Sequence, residues 1–145
     1  MKPIMHATAG AVALLCIATF WTSTVVAEFF MASATILTVK TMILYGMVLL
    51  VPALMFTGAS GFALARRRKG GLIARKLRRM PFIAANGFLI LIPAAWWLQS
   101  KAAAGEFDAS FLAVQGLELA AGAVNFTLLV LNFRDGLRLH GSLRE

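Results

Sequence analysis

Little in this 145-residue chain can do chemistry: two histidines, one cysteine and six acidic residues. His6 stands in "KPIMHATAG", residues 2–10, at the doorstep of a long apolar run. Imidazole there can ligate haem iron or another metal, titrate near neutral pH, or sit at an interface with its tip in water. His140, in "RDGLRLHGSLRE", is either a second ligand or a solvated tail residue. Met5 and Met80 fall in the same layer as His6, where a thioether can be an axial ligand or packing. Cys16 is alone, so no disulfide or CxxC site exists within the chain, and it reads as a small hydrophobe. No HExxH, paired carboxylate–histidine motif or cysteine cluster is present, which leaves other metal chemistry without a donor set.

A second group of polar residues lies in "FLAVQGLELAAGAVNFTLLVLN", residues 111–132. Gln115, Glu118, Gly122, Asn125 and Asn132 are separated by three, four, three and seven positions, which puts them on one helical face. A helix facing lipid all round would not carry such a stripe. Glu118 falls about 15 Å into this segment at 1.5 Å per residue, near the middle of a bilayer. A carboxyl at that depth is expected to be protonated or matched by a donor. It reads either as a proton relay or ligand contact, or as a neutral acid that joins helices by hydrogen bonding.

The elements that must position these groups follow from composition. The chain is 60% hydrophobic with a mean hydropathy of +0.81, beyond the 45–50% or so of soluble domains. Its apolar residues come in runs near the roughly 20 residues that cross a bilayer. The expected fold is an all-α membrane protein, one domain of four transmembrane helices over about 6–28, 38–65, 80–100 and 109–134. Pro81 falls in the first turn of the third helix, where its missing N–H costs little. Pro52 lies in the middle of the second, where a kink and a freed carbonyl are expected. The first segment has a rival reading, a signal peptide with a small-residue cleavage site after Ala27. A retained span is the expectation adopted.

Charge sets the orientation. Formal net charge is +8 and the sequence pI about 10.9. Eight of the 14 basic residues lie between 66 and 79, with no acid among them: Arg66, Arg67, Arg68, Lys69, Arg75, Lys76, Arg78 and Arg79. No nucleic-acid recognition motif accompanies them and no aromatics interleave, so nucleic acid is not the expected partner. The segment reads as a cytoplasmic loop under the positive-inside rule. Both termini are then cytoplasmic as well, and the expected location is a bacterial inner membrane. On the opposite side Trp96 and Trp97 read as an interfacial belt, and Glu28 and Lys40 are expected to pair across the first turn.

Small residues gather at the depth of His6: Ala7, Ala9 and Gly10 after it, Gly58 and Gly61 in the second span, and Asn86 with Gly87 in the third. Such residues leave room for a flat macrocycle or for a close helix. Arg66, Arg78 and Arg79, at the same level, are topology signals or partners for carboxylates such as haem propionates.

"MHATAG…ATFWTSTVVAE" followed by "VKTMILYGMVLLVPALMFTGASG" resembles small four-helix b-type cytochromes. It is similar in layout to haem-dependent membrane proteins around protoporphyrinogen oxidase and to copper-resistance membrane subunits. The likeness covers the first two spans, about half the chain. It implies haem b as cofactor with His6 as an axial ligand. Bundles of that kind usually take histidines from two helices, and no span here holds a second one. A five-coordinate site, Met80 or His140 as sixth ligand, or a homodimer would complete it.

The expectation is therefore a haem b-binding membrane protein in electron transfer, haem handling or sensing, with a redox partner where electrons move. Gly58, Gly61 and Asn86 would line its pocket. Two alternatives stand beside it. One is a small oligomeric proton- or cation-coupled transporter using Glu118 with Gln115 and Asn125. The other is a non-catalytic assembly subunit of a membrane complex.

Overall fold

A computed structural model describes residues 3–65 and 71–141, without the side chains of 3, 64, 65, 72, 73, 75, 76 and 139–141. Every element among them is helical: α1 (Pro3–Phe30), α2 (Ser33–Ala65), α3 (Gly71–Asn86), a π-helical stretch (Gly87–Leu91), α4 (Ile92–Ala103) and α5 (Ala109–Gly141). The chain runs without a break from α3 through the π turn into α4. Four segments are long and apolar enough to cross a membrane: Ile4–Phe30, Ser33–Ala63, Leu77–Ala103 and Ala109–Arg138. Four such helices suggest a multi-pass membrane protein.

The bundle has two ends. One holds both termini and the approach to residues 66–70. The other holds the turns at 31–32 and 104–108. At the turn end α5 starts on a built cap. Asp108 Oδ1 accepts from the Phe111 N–H at 2.9 Å and from the Ser110 hydroxyl at 2.5 Å. This satisfies donors that a helix start leaves unpaired. Gly105, with φ +73°, ends α4. The Gly105 N–H bonds to Ala102 O and the Glu106 N–H to Lys101 O, the double bond pattern of a left-handed glycine cap.

Helix boundaries depart from expectation in three places, one of them the end of α5, which runs to Gly141 rather than about 134. The second helix begins at Ser33, about five residues before the expected start, because residues 31–32 suffice to turn the chain. The basic segment expected as a loop over 66–79 is helical from Gly71 onward. Leucine, alanine, arginine and lysine are all good helix formers, so the charge that marks a membrane boundary does not end the helix. Pro52 sits within α2 without ending it.

The π stretch has a local cause. Pro93 has no N–H, and in a regular helix its ring would crowd the carbonyl of Leu89. One wider turn precedes it, with the Ile92 N–H bonded to Gly87 O, five residues back. Such turns recur at functional sites, and here the turn opens at Gly87.

Two apolar clusters hold the bundle. Ala13, Ile17, Leu50, Ile83 and Leu129 form one, and Ala27, Ile36, Leu98, Ala102 and Phe111 the other. Glycine permits one very close approach: a Cβ at Gly46 would collide with the Phe20 ring. The outward faces carry exposed Leu15, Val48, Met55, Phe62, Phe82 and Leu89. In a bundle surrounded by lipid that exposure carries no hydrophobic penalty.

Candidate functional site: a bundle cavity and two polar centres

A cavity of about 520 Å³ lies within the bundle. Its wall is almost wholly apolar, with Phe20, Leu50 and Phe88 among its side chains, and Gly58, Met80 and Gly87 also face it. A Cβ added to Gly58 would meet nothing within 4 Å, so the open space reaches its backbone. Polar atoms enter the wall at few points, chiefly Trp21, Thr24, Thr57, Glu118 and Asn125. Among the described lining residues Glu118 alone is ionisable. A cavity of this size and character, with a few placed polar groups, is the usual form of a small-molecule site.

The first polar centre adjoins the cavity at Glu118. Lys40 is 1% exposed and donates to Glu118 Oε2 at 2.6 Å. Gln115 Nε2 donates to the same oxygen at 3.1 Å. The carboxyl expected to need a donor thus has two, one of them a buried cation. Glu28 lies within electrostatic reach of both Lys40 and Glu118. The surface pair expected between Glu28 and Lys40 is replaced by a buried Lys40–Glu118 bridge, because α2 turns Lys40 inward toward α5. Trp21 bonds to Leu119 O at 2.9 Å. A Cβ at Gly122 would come within 3.1 Å of the Trp21 ring, so the glycine of the stripe admits that ring.

The stripe itself is present. Gln115, Asn125 and Asn132 are 4%, 1% and 4% exposed. It continues one step further to Asp135, 2% exposed, which the sequence reading missed although three positions after Asn132 extends the same face. Asn125 Oδ1 accepts from Asn86 Nδ2 at 2.9 Å, and Asn86 also reaches Ala121 O at 2.8 Å. Asn86, expected to line a pocket, is instead taken up in the seam between α3 and α5. Arg79 donates to Asp135 at 2.9 Å and to Asn132 at 3.4 Å. Expected to face a ligand's carboxylates, it has a carboxylate within the protein. Arg78 is exposed. Arg66 and the His140 side chain lie outside the described residues.

The second polar centre is at the end with the termini. His6 Nδ1 and Ser60 Oγ are 2.7 Å apart. Ser60, fully buried, also donates to Thr57 O at 3.2 Å. A Cβ at Gly61 would be 3.4 Å from His6 Cε1 and 3.6 Å from Met80 Cε. Three residues singled out from sequence, His6, Gly61 and Met80, therefore meet at one point. Nothing in the sequence marked Ser60 as the partner of His6. Met80 borders the cavity, while His6 stands beyond the wall. No group of three or more His, Cys, Asp or Glu residues is placed to hold a metal ion among the described residues. Comparison of the chain with family models, with curated proteins and with solved structures finds no match.

Proposed function

We propose that the protein binds a large, mostly apolar ligand inside its membrane bundle, and that haem b is that ligand. The observation that carries this reading is the apolar cavity of about 520 Å³ with the Met80–Gly61–His6 contact at its edge. Imidazole and thioether together are a donor set that haem iron takes. The bare Gly58 backbone leaves a cradle that any side chain would fill. The acid-binding part of the fit is weaker, since of the three arginines expected to hold carboxylates Arg79 is engaged by Asp135, Arg66 lies outside the described residues and Arg78 remains, exposed.

Haem bound here would supply one-electron chemistry for electron transfer, handling or sensing. The protein's own contributions are distinct. Ser60 fixes the His6 ring through Nδ1, as outer partners of ligating histidines do. Met80 presents its thioether at the wall. The apolar lining keeps water out. A homodimer would bring a second His6, and a redox partner would meet the end that holds the termini. The positive-inside rule supports cytoplasmic termini for this chain, and a bacterial inner membrane is the location proposed.

The test is an absorption spectrum of the protein purified after expression with ample haem. A Soret band is expected, weakened or shifted in His6→Ala and in Met80→Leu. A colourless native protein overturns haem b, and a band indifferent to both substitutions overturns these ligands.

A further inference from the structure

Lys40 from α2 and Gln115 from α5 bond to Glu118 of α5 in a buried cluster, and half-buried Glu28 of α1 lies within electrostatic reach of Lys40 and Glu118. Lys40 and Glu118 lie roughly 10–14 Å in from the turn end of their helices at 1.5 Å per residue. Ionisable groups at such depth are costly, and they mark functional sites unless shown otherwise.

Two counts of this cluster disagree with a fully ionised, closed network. The first is charge. Two carboxylates face one ammonium, which leaves one negative charge unmatched. Among the described residues no further cation reaches it. Residues 81–100, the part of the third span packed alongside, contain no charged residue. Lys101 is committed to Glu106 at 2.6 Å and to Asp108 at 2.7 Å. Arg79 belongs to Asp135 at the opposite end. The second count is hydrogen bonds. Glu28 Oε1 and Gln115 Oε1 are buried acceptors without a donor, and Gln115 as a residue is only 4% exposed. The Trp21 N–H, another donor on the cavity wall, is used by Leu119 O. Orphaned buried acceptors of this kind call for an explanation.

One remedy answers the surplus charge and one of the two orphaned acceptors together. A proton on either carboxylate cancels the surplus charge and converts one acceptor into a donor. A metal ion would cancel the charge too, but it would have to sit against the Lys40 ammonium already in contact with Glu118. We infer that Glu28, Lys40, Gln115 and Glu118 form a binding site for one exchangeable proton, carried by the Glu28 or the Glu118 carboxyl. Glu118 also belongs to the cavity wall, so a ligand's polar group that bonds to Glu118 competes for the same oxygen atoms that hold the proton. Occupancy of the cavity and protonation of the cluster are thereby coupled. The site itself stands whether or not haem is the ligand.

Infrared spectroscopy of the native protein in lipid bilayers tests this, by the carbonyl stretch of a protonated carboxyl. At neutral pH Asp108 adds nothing to this band, because Lys101 holds its carboxyl low. The expected result is a band worth one carboxyl per chain that disappears on alkaline titration. Glu28→Gln and Glu118→Gln should each abolish it, because one acid and one lysine then balance. Lys40→Met should double it, because two unmatched acids then take two protons; a merely structural lysine would not move the count. Absence of the band from the folded native protein overturns the proposal, whatever the variants do. So does a band that Lys40→Met leaves unchanged.

Discussion

The seam between α3 and α5 and the face between α2 and α3 are built on opposite terms. The first is stitched by polar side chains along its length: Asn86 to Asn125, Asn125 to Ile83 O, and Arg79 to Asn132 and Asp135. The second is apolar and holds open space at Gly58 and Gly87. In water an apolar gap would tend to collapse. In lipid, acyl chains solvate leucine as well as another leucine does, so apolar faces have little drive to close. Helices meet where hydrogen bonds and tight packing hold them, and the cavity lies where those are missing. The lesson is that a membrane bundle can keep a ligand-sized space by withholding polar partners from one face.

That contrast can be broken from the stitched side. Arg79→Ala leaves Asp135, 2% exposed, without its cation. Breaking a buried ion pair from one side costs about 3–5 kcal/mol, and the low end is expected because Arg79 is itself 22% exposed. Unfolding titrations in mixed micelles measure the loss, and restoration by Asp135→Ala in the same background would separate an orphaned charge from lost packing.

A pair of substitutions sharpens the contrast at smaller magnitude. Asn125→Leu removes the bonds to Asn86 and Ile83 O and should destabilise by about 1–2 kcal/mol, the range for hydrogen bonds between membrane helices. Gly58→Leu, by contrast, fills open space and should leave stability equal or raised by about 0.5–1 kcal/mol through helix propensity. It should also abolish ligand binding. If Gly58→Leu destabilised as much as Asn125→Leu, the space at Gly58 would be a packed seam after all.

The smallest effect is expected at the turn end, outside the spans. The Lys101 ammonium, the Ser110 hydroxyl and the Phe111 N–H hold the Asp108 carboxyl well below the usual carboxylate range. The folded state therefore favours the ionised form more than the unfolded chain does. Its stabilisation is complete above the ordinary carboxylate pKa and fades as the pH falls through the lower folded value. Thermal melts of the native protein and Asp108→Asn should converge on acidification, with a small gap at neutral pH because the group is exposed. A gap independent of pH would exclude the charge as its source.

Much of the frame was legible from residues alone. Length and apolar runs placed the four spans within a few residues, because hydrophobic length is a local property of the chain. The buried face of α5 followed from spacing, since a helix of 3.6 residues per turn assigns each position to a face wherever the helix is placed. The meeting of His6, Gly61 and Met80 at one depth followed from counting along antiparallel spans. The basic segment misled in one respect. Its charge signalled a boundary of the membrane, but lysine and arginine also propagate a helix, so the end of the span and the end of the helix parted company at Gly71.

Partners across helices were the part the sequence did not determine. Glu28 and Lys40 are near in the chain, yet Lys40 bridges to Glu118, 78 positions away. Arg79 finds Asp135, and His6 finds Ser60. Each of these pairings depends on how one helix is rotated and shifted against another, and such placements come from packing of whole faces rather than from any short stretch. Periodicity decided which side chains turn inward. Only the assembled bundle decided which of them meet, which buried acceptors go without a donor, and where space is left.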